Sequence, residues 1–191
     1  MSTSIAEIHD AGTASVREVS DALGPGHDRR SAGDLEIRGG VDRAYVHAGG
    51  ALVVDGRAGG ATLACGGDMT LAWAHSCAIA AGGALTLLGP GATDCDIEVG
   101  SDMVARAPEG AIRSGLLRVG GRLDAHELAG REGARLRVVM EAGDARGDLV
   151  RVDVIQPGVE IVACGELLRF DRRHERVVIS AAGGRAVLTS S

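Results

Sequence analysis

Residues 63 to 87 read LACGGDMTLAWAHSCAIAAGGALTL, and this stretch decides the fold. It contains two Gly-Gly pairs, and a large apolar residue, Met69 or Leu85, follows each pair at the second position. Comparable pairs of small residues recur along the chain at Ala32-Gly33, Gly49-Gly50, Gly66-Gly67, Gly82-Gly83, Gly100-Ser101 and Gly120-Gly121. Counted from the second member of each pair, the spacings are 17, 17, 16, 18 and 20 residues. A period this short is too short for a helical repeat and indicates a solenoid of short strands.

Aligning the repeats on these pairs places apolar residues in columns. One column contains Leu35, Leu52, Met69, Leu85, Met103 and Leu123. A second column, in the other half of each repeat, contains Val46, Leu63, Ile79, Ile97, Leu117 and Leu136. Within each half the apolar residues alternate along the chain, which is the period of a strand with one buried face. We therefore predict an all-β fold, a single-stranded parallel β-helix with coils of about 17 residues, in which these two columns form the core ladder.

The residues at the predicted corners also recur. We expect the glycines to turn the corners because glycine adopts left-handed or strained backbone angles without steric cost. Asp34, Asp68 and Asp102 follow the small pair on alternate coils. We interpret these carboxylates as turn or surface residues, because an acidic sugar-binding site of the pectate-lyase kind would also need aromatic platforms.

The two flanks follow the repeat less well than the middle. Residues 1–31 are expected to form a tail or a capping helix, with Ser4–Leu23 as its amphipathic segment. The regular coils are expected to span 32–139. Residues 140–191 are expected to form irregular closing coils and a C-terminal cap, because alternation returns there only in patches.

The four cysteines form no CxxC motif and no spacing typical of a metal site. The alignment places Cys77 and Cys95 in the same inward column on adjacent coils, about one strand spacing apart. We interpret them as stacked, buried free thiols that act as small apolar side chains. A disulfide between them and a metal site are the alternatives.

Composition and motifs argue against several classes of function. The formal net charge of −6 argues against nucleic acid and against an anionic membrane as partners. The phosphate-loop, nucleophile-elbow and HExxH motifs are missing, so we expect no catalytic residue, no cofactor and no metal ion, and we interpret the chain as non-enzymatic. The first residues lack an apolar leader, and no stretch is long enough to span a membrane, so we expect a cytoplasmic protein without membrane insertion.

The outward positions of the first strand suggest an interaction surface. In the middle coils these positions carry Val53, Thr70, Thr86 and Val104. Such β-branched residues suit any strand, but together they would present a flat, weakly polar face. We predict that this face mediates docking of a protein partner or self-association, so that the chain forms a homo-oligomer.

A resemblance to a known family rests on several segments. They are residues 120–138 (GGRLDAHELAGREGARLRV), the repeated Ala-Gly-Gly-Asp/Ala-Leu/Met segments, Ile112-Arg113-Ser114 ahead of Leu117, and Gln156-Pro157-Gly158-Val159. Over residues 32 to 165 the chain resembles the β-helices of the flagellar assembly protein A (FapA) family. The resemblance implies a right-handed β-helix with a non-catalytic role in bacterial assembly, targeting or regulation. In that family the role is linked to flagellar placement and to binding of partner proteins.

Two alternatives remain open. The chain is more remotely similar to bactofilins, which are short, glycine-rich β-helices of the cytoplasm that join end to end into cytoskeletal filaments. Such a polymer needs terminal coils that are open and apolar. The second alternative is an enzyme similar to the β-helix acyltransferases. Detectable binding of acetyl-CoA would favour it, although the coil length drifts and no coil carries a long protruding loop.

Overall fold

The computed structural model describes residues 17–131, 133–141 and 147–190, and it contains strands and no helix within them. The strands are β1 (Arg17–Leu23), β2 (Asp28–Ser31), β3 (Asp34–Asp42), β4 (Tyr45–Ala48), β5 (Leu52–Gly59), β6 (Thr62–Cys65), β7 (Met69–His75), β8 (Ala78–Ala81), β9 (Leu85–Val99), β10 (Met103–Ala105), β11 (Ala111–Val119), β12 (Leu123–Ala129), β13 (Leu136–Met140), β14 (Gly147–Ile155), β15 (Val159–Ala163), β16 (Glu166–Phe170), β17 (His174–Ala182) and β18 (Arg185–Thr189).

Two parallel ladders of strands form the stack. The first ladder joins β1, β3, β5, β7, the start of β9, β10, β12 and β14. The second joins β2, β4, β6, β8, the end of β9, β11, β13 and β15. In the first ladder, the register partners at successive offsets of 17, 17, 16, 18 and 20 residues are Leu35, Leu52, Met69, Leu85, Met103 and Leu123. The predicted fold class, a parallel β-helix, is therefore confirmed.

The predicted core ladder lies inside this stack. Every one of its residues is buried, with at most 3% of its surface exposed. The coil interior is filled by aliphatic, alanine, methionine and cysteine side chains, and Phe170 is the one fully buried aromatic residue among those described. Each inward side chain packs on its register partners above and below, so the core is continuous from coil to coil.

The pairing of Leu136 differs from the prediction. Leu117 pairs with Val138, whereas Leu136 pairs with Gly115, two residues earlier. A tight turn explains the shift, since Arg131 and Ala134 bond to each other through their backbones and take up extra residues at this corner. A shift by two residues keeps Leu136 on the inward face, because side chains on a strand alternate with a period of two.

The first glycines of the pairs are needed for a reason other than the predicted one, whereas glycines such as Gly60, with a φ of 58°, do adopt the predicted left-handed angles. A Cβ at Gly82 would lie 2.4 Å from the carbonyl oxygen of Gly66 on the preceding coil, and a Cβ at Gly100 would lie 2.2 Å from that of Gly82. Positive φ angles are not found at the first glycine of the pairs, namely Gly49, Gly66, Gly82, Gly100 and Gly120. Close approach of successive coils therefore excludes a side chain there. Ala32 occupies the equivalent position at the first described corner, and no described residue lies beneath it.

The recurring aspartates bond across the corners. Asp68 Oδ1 accepts a hydrogen bond from the backbone N–H of Ala84 at 2.8 Å, and Asp34 and Asp102 make equivalent bonds to the next coil. These bonds agree with the interpretation of the carboxylates as turn or surface residues. They also explain the second glycine of alternate pairs, since a Cβ at Gly83 would lie 2.2 Å from Asp68 Oδ1.

Replacing Asp68 with alanine is expected to lower the free energy of unfolding by about 1 kcal/mol, because the Ala84 N–H loses its acceptor. Asp68→Asn is the matched control, since its amide oxygen can accept the same bond. Urea denaturation at neutral pH measures both variants. Equal losses in the two would contradict this role and would assign the effect to the charge.

The predicted capping helix is wrong where the structure describes it. Residues 4–16 of that segment lie outside the described residues, but Arg17–Leu23 form β1, which pairs in parallel with β3. With β2, this strand adds a coil ahead of residue 32. The strand period was hidden because the inward positions of β1 carry Glu18 and Ser20 instead of apolar residues.

The C-terminal end closes with antiparallel strands. After the last parallel coil, formed by β14 and β15, the chain turns back: β16 pairs with β15, and β17 pairs with β14. β18 then pairs with the far side of β17. Val177 and Ile179 of β17, both fully buried, cover the inward side of this end of the stack.

Candidate functional site

The predicted interaction face is a stacked column in the structure. Val53, Thr70, Thr86 and Val104 are successive register partners on the outer side of the first ladder, and we call them the β-branched column. The first three side chains are half-buried by their neighbours, whereas Val104 is 37% exposed. Leu88, the most exposed large apolar side chain described at 64%, lies two residues beyond Thr86. The column is therefore a flat, weakly polar strip on rigid strands.

Ion pairs bound this column at both ends. Glu36, the register partner of Val53, contacts Arg38 at 3.0 Å and also pairs with Arg17. The hydrogen bond from Arg38 and the positive charge of both arginines hold the pKa of Glu36 below its ordinary value. At the other end, Asp124 follows Val104 and lies 3.2 Å from Arg106. The strip between these ends carries no charge of its own.

The stacked thiols have a structural arrangement. The backbone nitrogen of Cys77 lies 3.5 Å from Cys95 Sγ, and the two thiols donate to the carbonyls of His75 and Thr93. Both cysteines are at most 4% exposed, and all four cysteines of the chain are free thiols. The contact with Cys77 and burial raise the pKa of the Cys95 thiol. Burial and this raised pKa make Cys95 a poor nucleophile, so it packs as a small apolar residue.

A side-chain cluster that the sequence analysis did not identify joins three successive coils of the first ladder. His126 Nδ1 donates to Asp153 Oδ2 at 2.9 Å, and Arg106 Nη1 donates to Asp153 Oδ1 at 3.0 Å. The three residues occupy equivalent positions, because each directly follows one of the register partners Ala105, Ala125 and Val152. The sequence repeat does not reveal this, because Val150 follows Leu123 in the ladder only after 27 residues, more than in the regular coils. The cluster ties the closing coil to the regular stack.

Burial acts to raise the pKa of Asp153, but the hydrogen bonds from His126 and Arg106 outweigh burial and lower the pKa overall. A carboxyl with a lowered folded-state pKa stabilises the fold above its unfolded pKa of about 4, and the contribution is lost as pH falls through the folded value. Asp153→Asn is therefore expected to be less stable than the native chain at pH 7, by an amount that shrinks at lower pH.

Urea denaturation between pH 7 and pH 3 measures this dependence. Glu98→Gln is the control, because Glu98 is exposed and no hydrogen bond or ion pair joins its side chain to other described residues. A difference between Asp153→Asn and the native chain that stays constant with pH would contradict the assignment.

The N-terminal end of the core is polar. The inward positions that carry Leu35 and Val46 in the second described coil carry Glu18 and Arg29 in the first. Arg29 Nη2 donates to Glu18 Oε2 at 2.5 Å, and Ser31 Oγ donates to Glu18 Oε1 at 3.1 Å. We call these three residues the polar plug. With antiparallel strands over the other end, neither described end is the open apolar coil that the filament alternative requires.

Replacing the polar plug with apolar residues is expected to make the protein self-associate through this end. Glu18→Leu combined with Arg29→Val introduces the residue types of the regular ladder. The molar mass of this double variant in light scattering is therefore expected to rise with protein concentration. Asp28→Val with Arg30→Leu is the matched control, because it removes an ion pair from outward positions of β2. Similar association of both double variants would show that the position of the charges does not matter.

Within the described ranges, no group of three or more His, Cys, Asp or Glu side chains is placed to hold a metal ion. No helix with the length and apolarity to cross a membrane occurs in the described part of the chain.

The comparisons with known proteins agree with this geometry. The Flagellar Assembly Protein A (FapA) beta solenoid domain matches residues 18–148, which is more than half of the chain. The match starts within β1, includes the coil formed by β1 and β2, and confirms the resemblance carried by residues 120–138. No curated protein and no solved structure matches the chain. The stacked coils and the family match together show that this chain belongs to the FapA β-solenoid domain family.

Proposed function

We propose that this chain is a non-catalytic assembly protein that binds a protein partner through the β-branched column. Membership of a flagellar assembly family supports an assembly role. The observation that carries the choice of surface is the uncharged strip from Val53 to Val104, which lies between ion-paired carboxylates. We place this activity in the cytoplasm, as expected from the sequence, and in the formation of flagella.

The column suits docking for physical reasons. Valine and threonine have few side-chain rotamers on a strand, so little conformational entropy is lost when a partner covers them. The strands beneath are held on both sides by the ladder, so the strip changes little in shape on binding. A partner side chain can pack at each coil, at intervals of about 4.8 Å. The ion pairs at the ends then form the polar rim of the interface.

Site-specific photo-crosslinking in the source bacterium tests this surface directly. A photoreactive residue in place of Thr70 is expected to capture one defined partner protein, identified by mass spectrometry. The same residue in place of Thr62, an exposed position on β6 of the second ladder, is the control. Capture of the same protein in equal yield from both positions would count against the column as the binding surface.

Charge introduced into the column tests the role in assembly. Val53→Arg with Val104→Arg is expected to abolish the Thr70 crosslink and to reduce flagellation of a strain that carries only this copy. Thr62→Arg with Ala80→Arg adds the same charge to the other ladder and is expected to leave both unchanged. If oligomer size, crosslinking and flagellation all survive in the column variant, the column is not the interface.

A further inference from the structure

The last strand, β18, has an open edge that the proposed docking function does not use. It pairs with β17 from Ala182↔Arg185 to Val178↔Thr189, and no described residue pairs with its other side. Gly183 and Gly184 form the two-residue turn between the strands, with φ angles of 59° and 77°. Such a turn closes on a hydrogen-bonded pair, so Arg185, Val187 and Thr189 bond to β17. The backbone N–H and C=O groups of Ala186 and Leu188 therefore point out of the sheet.

The composition of β18 sets it apart from the other open edges. Strands with one unpaired side within the described residues are β1, β2, β16 and β18. The first three carry two or more charged residues each, which is how natural sheets discourage pairing at an edge. β18 carries Arg185 at its start and then the uncharged sequence Ala186-Val187-Leu188-Thr189. Its backbone is thus open to pairing without a charged barrier.

The side chains of β18 also lack a cover. Leu188 pairs with Ile179, which is fully buried in the core, so Leu188 lies on the core side of the sheet. It is nevertheless 41% exposed, because the described residues place nothing beyond the edge. Val187, on the opposite side of the sheet, is 46% exposed. A strand added to this edge would extend the core face over Leu188 and bury apolar surface on both sides of the sheet.

We propose that β18 pairs with β18 of a second copy of this chain, antiparallel and centred on Val187. In this register Val187 lies opposite its own copy, and Ala186 lies opposite Leu188 of the second copy, so the outward backbone groups bond to each other. Arg185 then faces Thr189, and the two arginines lie at opposite ends of the pair. A parallel pairing would place like charges side by side, which is unfavourable. The interface is isologous and closes as a two-fold dimer.

The dimer is separate from the β-branched column, which lies on β5, β7, β9 and β10, whereas β18 belongs to the closing layer. Each dimer would therefore present two columns. Loss of the dimer would leave partner crosslinking at Thr70 intact, so the two proposals can fail independently.

Size exclusion with light scattering on the full chain tests the pairing. The native chain is expected to show twice the 19.4 kDa of one chain across a wide concentration range. Val187→Lys, which opposes two like charges at the two-fold axis, is expected to weaken the dimer about tenfold or more. Leu167→Lys, at a 45% exposed position on the β16 edge, is the control and is expected to remain dimeric. A native monomer at every concentration, or a dimer unaffected by Val187→Lys, would overturn the proposal.

Disulfide trapping tests the register without depending on that variant. In antiparallel strands a directly opposed pair outside the hydrogen-bonded positions lies about 4.5 Å apart between Cα atoms, which a disulfide can span. With Cys164→Ala to remove the half-exposed thiol, Val187→Cys is expected to form a covalent dimer with oxidised glutathione. One S–S bond forms between copies, and the two electrons and two protons reduce oxidised glutathione to two thiols. Thr189→Cys, which faces Arg185, is expected to stay monomeric on a denaturing gel, and equal trapping of both would contradict this register.

Discussion

Replacing Leu85 with alanine is expected to lower the free energy of unfolding by roughly 3 to 5 kcal/mol. Leu85 is fully buried and lies in the middle of the first ladder, between Met69 and Met103. Removing its side chain leaves a cavity that the strands above and below cannot close, because their hydrogen bonds hold the coil spacing at about 4.8 Å. Urea denaturation followed by circular dichroism measures the loss.

The neighbouring residue on the same strand is the control for this change. Thr86→Ala alters an outward, half-buried side chain and is expected to cost no more than about 1 kcal/mol. A loss for Leu85→Ala as small as that for Thr86→Ala would mean that the coil interior collapses around the missing side chain. The core would then be less tightly packed than the stacked ladder indicates.

Gly82→Ala is expected to cost about 3 kcal/mol although it adds only one methyl group. The new Cβ would lie 2.4 Å from the carbonyl oxygen of Gly66, and that carbonyl belongs to the backbone of the preceding coil. Neither group can move alone, because Gly82 N–H donates to Cys65 O in the same inter-coil ladder. The midpoint of thermal unfolding and the urea midpoint are both expected to fall.

Gly24→Ala separates this steric effect from the general cost of replacing glycine. At Gly24 the nearest atoms to a new Cβ lie 3.9 Å away on the His27 ring, which is ordinary contact, and φ is not positive. The change is expected to alter stability by about 0.5 kcal/mol or less. Equal losses at the two positions would show that backbone entropy, and not the approach of the coils, explains the glycine repeat.

The part of the fold that the sequence predicted depends on local repetition. Apolar residues equivalent to Leu52 and Leu63 occur at the same two positions of each regular coil. Because this pattern is repeated several times, it identifies both ladders. The adjacent thiols of Cys77 and Cys95 follow from the same alignment. The β-branched column was also predictable, because residues two apart on a strand share a face and successive coils repeat that face.

The pattern failed where a residue's role depends on its place in the stack. Glu18 lies at an inward position, and the charge is tolerated there because Arg29 and Ser31 bond to the carboxylate and because the side chain is only half-buried. The repeat also could not give the partner of Leu136, since the number of residues absorbed by the turn at Arg131 depends on the local backbone. Asp153 could not be matched with His126 for the same reason.

The amino-acid sequence by itself determined that the chain forms stacked parallel coils, which residues point inward and which family the chain resembles, because the inward residues recur every 16 to 20 residues in the regular coils. Only the tertiary structure decided what lies at each end of the described stack: a polar plug at β1 and β2, antiparallel strands over β14 and β15, and an open edge at β18. An end occurs once, so no repetition reveals it. The residue types that suit an end depend on which groups cover it in the folded chain.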